Sequence, residues 1–99
     1  MTNNYEKEMT QDEITMVNRA IKDVENDYVH ITWEVDRFSY QNCEWVIIIK
    51  ILDMDNGNMI ARRCSLPTNK RWLFVCEPWI SAIGKCISDM MYRLGMNKK

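Results

Sequence analysis

The chain has 99 residues, of which 46% are hydrophobic, and a formal net charge of −1 at pH 7. This length and composition exclude a second domain, a disordered chain and a fibrous protein, but they suffice for one modest core. The first residues lack the apolar run of a signal peptide, and no apolar stretch approaches the ~20 residues of a membrane helix, so we expect a cytoplasmic protein without membrane association.

The first predicted element is a helix from about Gln11 to Glu25. Thr10 and Glu13 have the spacing of a capping box, which marks a helix start. An apolar stripe at helical spacing follows: Ile14, Val17, Ile21 and Val24. Residues 1–9 are predicted to be a mobile tail, residues 10–95 a single α+β domain, and residues 96–99 a C-terminal tail.

Three strands are predicted next. Tyr28 to Arg37 alternates apolar and polar residues, Trp45 to Leu52 is a β-branched apolar run, and a third strand follows from Asn58 to about Leu66. Asn56-Gly57 favours a two-residue type I′ hairpin turn. That turn sets three cross-strand pairs: Ile47 opposite Leu66, Ile49 opposite Cys64 and Lys50 opposite Arg63.

The remaining chain is predicted to form a loop, an optional strand and a helix. Pro67 to Lys70 is the loop, Trp72 to Cys76 is the short fourth strand, and Glu77-Pro78 opens the second helix, which stops at Gly95. The predicted apolar stripe of this helix is Ile80, Ile83, Ile87, Met90, Met91 and Leu94. The fold class is therefore α+β, a two-layer arrangement of an antiparallel sheet of three to four strands with two helices on one face, in the order αβββ(β)α.

No catalytic, cofactor or metal motif is visible, so we expect neither an enzyme nor a cofactor. The four cysteines form no Cys-x-x-Cys pair and are interpreted as reduced, small apolar residues. His30 is the only histidine. The string from Asp53 to Gly57 resembles a calcium loop, but its glycine has the wrong offset and no glutamate follows, so we interpret it as a hairpin turn.

Basic residues cluster in the second half of the chain. Phe38 to Lys99 carries nine basic and five acidic residues. The predicted pairing of Lys50 with Arg63 places like charges opposite each other, which requires neutralisation by Glu34 or Asp36 of the neighbouring strand, or by an anionic ligand or partner. The outer sheet face that holds both cations is a candidate binding surface, and Ile48, Leu52 and Ala61 also belong to it.

A second basic group combines cations with an aromatic side chain. Arg62-Arg63 and Lys70-Arg71-Trp72 have the composition with which single-stranded nucleic-acid binders hold the backbone and stack bases. The alternative is a solvated loop with Trp72 turned into the core.

The second helix has more apolar surface than one stripe needs. Trp79, Ala82 and Cys86 extend a second seam. This seam is predicted either to pack under Trp72 and Phe74 of its own chain or to form the interface of a homodimer.

The hairpin, the Arg-rich strand Ile60 to Leu66 and the amphipathic last helix resemble the positive-cofactor-four type of single-stranded-DNA-binding coactivator, over roughly Trp45 to Leu94. The resemblance implies a sheet face that binds single-stranded DNA, a dimer through the last helix, and roles for Lys50, Arg62 and Arg63. The chain departs from that pattern in its preceding helix, in the Trp72 to Cys76 segment and in its acidic isoelectric point.

Two hypotheses of function follow. The first is a small non-enzymatic module that binds a protein partner, of the kind that phages and mobile elements encode as accessory or inhibitor proteins. It is favoured by the absence of catalytic motifs and by apolar residues on the outer sheet face. The alternative is a single-stranded nucleic-acid-binding protein that uses the basic hairpin and Trp72.

Overall fold

The protein folds as two helices on one side of a three-stranded sheet. The structure is a computed structural model and describes residues 8–68 and 76–95. The strands are antiparallel, with β2 in the centre. The predicted α+β class is confirmed, and the elements in chain order are α1 Gln11–Val24, β1 Val29–Ser39, β2 Glu44–Asp53, β3 Met59–Pro67 and α2 Cys76–Arg93. The optional fourth strand was placed on residues 72–76; residues 72–75 lie outside the described ones, and Cys76 belongs to α2.

The start of α1 follows the predicted capping box. The Glu13 amide donates to Thr10 Oγ1 at 3.2 Å, and the Thr10 amide donates to Glu13 Oε1 at 2.8 Å. Each side chain thereby satisfies a backbone donor that the first helical turn leaves unpaired. The helix ends at Val24 with Glu25 as its C-cap, one residue earlier than predicted.

The core lies between the inner face of the sheet and the two helices. α1 is attached to this face by two indoles: Trp33 Nε1 donates to Asn18 Oδ1 at 2.8 Å, and Trp45 Nε1 donates to Glu13 Oε2 at 3.4 Å. The central strand supplies every second residue to the core, as a strand packed on one face must. The core residues of β2 and α2 are Trp45, Ile47, Ile49, Ile51, Trp79, Ile83, Ile87 and Met90.

The buried face of α2 differs from the predicted stripe. Ile80, placed in the stripe, is 39% exposed, whereas Trp79 is 1% exposed. The indole is larger than the isoleucine side chain, and its Nε1 donates to the Pro67 carbonyl at 2.6 Å, so burial of Trp79 gains both apolar area and a hydrogen bond. Trp79 therefore belongs to the protein's own core, and the homodimer interface stays a prediction.

The β2–β3 hairpin also differs from prediction. The Asp53 amide donates to the Asn58 carbonyl at 2.8 Å, and the Gly57 amide donates to the Asp53 carbonyl at 2.8 Å, so four residues lie between the paired Asp53 and Asn58. Gly57 has a φ of +76°, whereas Asn56 does not adopt the positive φ of a type I′ turn. The register shifts by two residues, which keeps each side chain on its predicted face but places Lys50 opposite Ala61 instead of Arg63.

A β-bulge interrupts β1. Val35 pairs with Ile47 and Arg37 pairs with Val46, so Asp36 is the extra residue. The bulge reverses the alternation and brings Phe38 to the inner face, where its ring contacts Trp45 edge-on at a centroid distance of 4.9 Å. β1 ends at Ser39, two residues past its predicted end.

Candidate functional site

The outer face of the sheet is the candidate site. Both helices pack on the inner face, and no element within residues 8–68 and 76–95 covers the outer one. Along β2, side chains that point outward alternate with the buried core residues. The predicted membership of this face is confirmed by the register: Ile48, Lys50, Leu52, Ala61 and Arg63.

The predicted cations of this face, Lys50 and Arg63, are paired with carboxylates of β1. Lys50 Nζ lies 3.9 Å from Glu34 Oε2, and Arg63 Nε lies 3.2 Å from Asp36 Oδ2. Lys50 and Arg63 are therefore neutralised within the protein, by Glu34 and Asp36. The predicted contact between Lys50 and Arg63, which would have required a neutralising anion, does not form, because the hairpin register places Lys50 opposite Ala61.

Arg63 reaches Asp36 across the central strand. Its Cα is opposite Ile48 of the central strand, so the Arg63 and Asp36 side chains together bridge two strand spacings of about 4.8 Å each. Asp36 also accepts from Arg37 at 2.8 Å. Val46, which belongs to the same end of the outer face, is only 4% exposed. At this end of the outer face the apolar side chain of Val46 is therefore covered, and the exposed groups are polar.

The opposite end of the outer face is apolar and open. Leu52 and Met59 are cross-strand partners, and the Met54 amide donates to the Tyr28 carbonyl at 2.9 Å, which continues the ladder by one pair. Tyr28, Met54 and Met59 are 60%, 58% and 62% exposed, and Leu52 is half-buried. We call these four residues the hairpin-end patch. Large exposed apolar side chains that are grouped in this way mark interaction surfaces.

Arg62 and Arg63 do not form one basic surface. Arg62 lies on the helix side of β3, where it pairs with Asp89 of α2, and Asp89 also accepts from Arg93 Nε at 3.2 Å. Hydrogen bonds from Arg93 and Arg62 hold the pKa of Asp89 below its usual range. The remaining predicted nucleic-acid contacts, Lys70-Arg71-Trp72, lie outside the described residues.

The other two residues predicted for a dimer interface lie beside β3. Ala82 and Cys86 are half-buried and line a groove of about 470 Å³ between α2 and β3, together with Cys64, Lys85 and Asp89. The thiols of Cys64 and Cys86 are hydrogen-bonded to each other. The sequence analysis missed this contact because the two cysteines are 22 positions apart and meet only through packing of α2 on β3.

A second groove lies beside the start of α1. It has a volume of about 460 Å³ and opens along the edge of the sheet formed by β1. The sequence analysis did not anticipate it, because its lining joins three separate parts of the chain. Its apolar lining residues are Met9, Ile14, Trp33, Val35 and Trp45.

The described side chains offer no metal site. No group of three or more His, Cys, Asp or Glu residues within 8–68 and 76–95 is arranged to hold a metal ion. The Asp53 to Gly57 string forms the predicted hairpin connection, in which Asp53 Oδ1 accepts from the Asp55 amide at 3.0 Å. Neither α1 nor the described part of α2 is long and apolar enough to cross a membrane.

Comparison with known proteins adds no relative. No protein-family model matches the sequence, and no significant match is found among curated proteins or among solved structures.

Proposed function

We propose that this protein is a non-enzymatic binding module that docks a protein partner through the hairpin-end patch. In this proposal it acts by blocking or bridging the partner, as accessory and inhibitor proteins of phages and mobile elements do. The observation that carries the proposal is the joint exposure of Tyr28, Met54 and Met59 at one end of a sheet face. A protein that keeps three large apolar side chains in water at one place forgoes their burial unless a partner supplies it.

The composition of the patch favours a protein surface as its occupant. Tyrosine and methionine are enriched at the centres of protein interfaces, and the flexible, polarizable thioether of methionine adapts to different apolar shapes. The charged neighbours Lys50 and Glu34 are paired with each other and would form a polar rim. We therefore expect the partner to present aliphatic or aromatic side chains rather than a strongly charged surface.

The ion pairs among the residues that the structure describes support nucleic-acid binding less well than protein binding. A phosphate that contacts Lys50, Arg62 or Arg63 has to compete with a carboxylate already paired with that cation. Counterion release, the main source of affinity for a polyanion, is small when the cations are neutralised internally. Single-stranded nucleic-acid binding stays a prediction that rests on Lys70, Arg71 and Trp72.

The test uses a patch variant and a matched control. Tagged wild-type protein captures candidate partners from cell lysate, and a purified candidate is then titrated against wild type, Met59→Glu and Tyr92→Glu. Tyr92 is a control because it is 71% exposed on α2, away from the patch. We expect Met59→Glu to weaken binding at least about tenfold, which corresponds to about 1.4 kcal/mol, and Tyr92→Glu to leave it unchanged.

Two outcomes would contradict the proposal. The first is equal affinity of the candidate for wild type and Met59→Glu while both variants fold normally by circular dichroism. The second is tight binding of labelled single-stranded DNA or RNA in fluorescence anisotropy that weakens as salt is raised. The latter would establish the nucleic-acid alternative, and loss of binding in a Lys70→Gln, Arg71→Gln variant would locate it.

A further inference from the structure

Two cysteines meet at the contact between α2 and β3. Cys64 points to the inner face of β3, since it pairs with the buried Ile47, and Cys86 lies in the middle of α2. Their thiols are hydrogen-bonded to each other. Cys86 Sγ also lies 3.9 Å from Met90 Sδ. The two thiols are therefore neighbours in the reduced protein, on the two elements that a disulfide between them would join.

The two thiols differ in access to solvent. Cys64 is 6% exposed, whereas Cys86 is half-buried and lines the groove between α2 and β3. Both thiols line the groove, but a molecule of the size of hydrogen peroxide that enters it meets the more exposed thiol of Cys86 more readily than the buried thiol of Cys64.

The two thiols also differ in acidity. The hydrogen bond from Cys64 lowers the pKa of Cys86 to about 7, and the positive charge of Arg62 acts in the same direction, against the opposing effects of burial and Asp89. The hydrogen bond and burial raise the pKa of Cys64. The other charged residues that line the groove are Arg63 and Lys85. These effects favour the thiolate at Cys86 over a thiolate at Cys64.

We propose that Cys86 and Cys64 form a peroxide-reactive thiol pair in which Cys86 is the attacking sulfur and Cys64 the resolving one. The Cys86 thiolate attacks one oxygen of hydrogen peroxide, the O–O bond breaks, and hydroxide leaves as a sulfenic acid forms on Cys86. Cys64 then attacks that sulfur, the S–O bond breaks, and water leaves. Two thiols and one peroxide thus become one disulfide and two waters, and the disulfide joins α2 to β3.

The test uses a full-length chain in which Cys43→Ser and Cys76→Ser leave only the thiol pair. Hydrogen peroxide should remove both free thiols without forming a dimer, and mass spectrometry should find the Cys64 and Cys86 peptides joined. With Cys64→Ala added, the sulfenic acid should accumulate on Cys86 and be trapped by dimedone. With Cys86→Ala added instead, Cys64 should remain a thiol at the same peroxide dose.

A pH profile separates this chemistry from simple proximity. The alkylation rate of Cys86 should rise with a midpoint near pH 7 when Cys64 is present, and that midpoint should move toward the ~8.5 of an ordinary thiol in Cys64→Ala. Persistence of both thiols at a peroxide dose that oxidises the urea-unfolded chain would overturn the proposal. So would a dimedone adduct on Cys64 rather than on Cys86 in the two single-thiol variants.

Discussion

Arg63 of β3 is paired with Asp36 of β1 at 3.2 Å between Nε and Oδ2, although the central strand lies between them. Asp36 reaches this position because it is the extra residue of the β1 bulge. The bulge therefore has two effects: it provides the partner of Arg63 on the outer face, and it brings Phe38 against Trp45 on the inner face. Residues at this one bulge therefore form a charge contact on one side of the sheet and an aromatic contact on the other.

The first prediction separates the backbone role of Asp36 from its charge. Deletion of Asp36 removes the bulge but leaves Arg37 opposite Val46 and Phe38 opposite Trp45, because the pairs beyond the bulge keep their register. Deletion of Asp36 and Asp36→Ala should therefore each cost less than about 1 kcal/mol in the free energy of unfolding, the size expected for the loss of ion pairs near the surface. Urea unfolding of both variants tests this, and a much larger loss for the deletion would contradict it by showing that the inserted residue itself is required.

The second prediction concerns the sign of a charge change at Lys50. Because Lys50 lies opposite Ala61 and 3.9 Å from Glu34, replacement by glutamate introduces repulsion instead of relieving it. Lys50→Glu should lower the free energy of unfolding by up to about 1 kcal/mol, and Lys50→Gln by less than about 0.5 kcal/mol, since both side chains are largely exposed. The loss in Lys50→Glu should shrink in high salt. A more stable Lys50→Glu protein would mean that Lys50 faces another cation.

The third prediction compares two glycines. Gly57 has a φ of +76°, where an added Cβ strains the backbone, so Gly57→Ala should destabilise the protein by about 1 kcal/mol or more. Gly84 lies inside α2, and no atom lies within 4 Å of a Cβ built there. Gly84→Ala should therefore stabilise the protein by about 0.5–1 kcal/mol through helix propensity. Thermal unfolding of the two variants checks the opposite signs, and a loss in both would contradict the prediction.

The fourth prediction concerns acid. Hydrogen bonds from Arg93 and Arg62 lower the pKa of Asp89 in the folded protein, so the folded state favours its carboxylate. The resulting stabilisation is present above the pKa of the unfolded chain, about 3.9, and is lost as the pH falls through the lower folded value. Wild type should therefore lose stability between pH 5 and 2 more steeply than Asp89→Asn. The difference should be small and salt-sensitive because the group is exposed. Parallel pH profiles would contradict this role of Asp89.

Local patterns predicted the elements of this fold well. The capping box at Thr10, the alternation in β1 and the apolar run of β2 are signals within single segments, and each produced the element expected of it. The two faces of the sheet were also assigned correctly, because the error in hairpin register was an even number of residues.

The remaining features depend on contacts between segments. The four-residue connection is closed by hydrogen bonds of Asp53, which the Asn56-Gly57 signal did not reveal. The choice of Trp79 over Ile80 depends on the Pro67 carbonyl, an acceptor supplied by another element. The hairpin-end patch and the thiol pair likewise arise only when distant positions are brought together by packing.

The order of the sheet has a consequence for folding kinetics. Every hydrogen-bonded neighbour in the sheet is also the next strand in the chain, and the connections between strands are short. Each strand pairs with a segment close to it in sequence, so the loss of loop-closure entropy at each pairing step is small. A three-stranded meander of this kind can form by successive hairpin closure, and the two terminal helices then complete it by burying its apolar face.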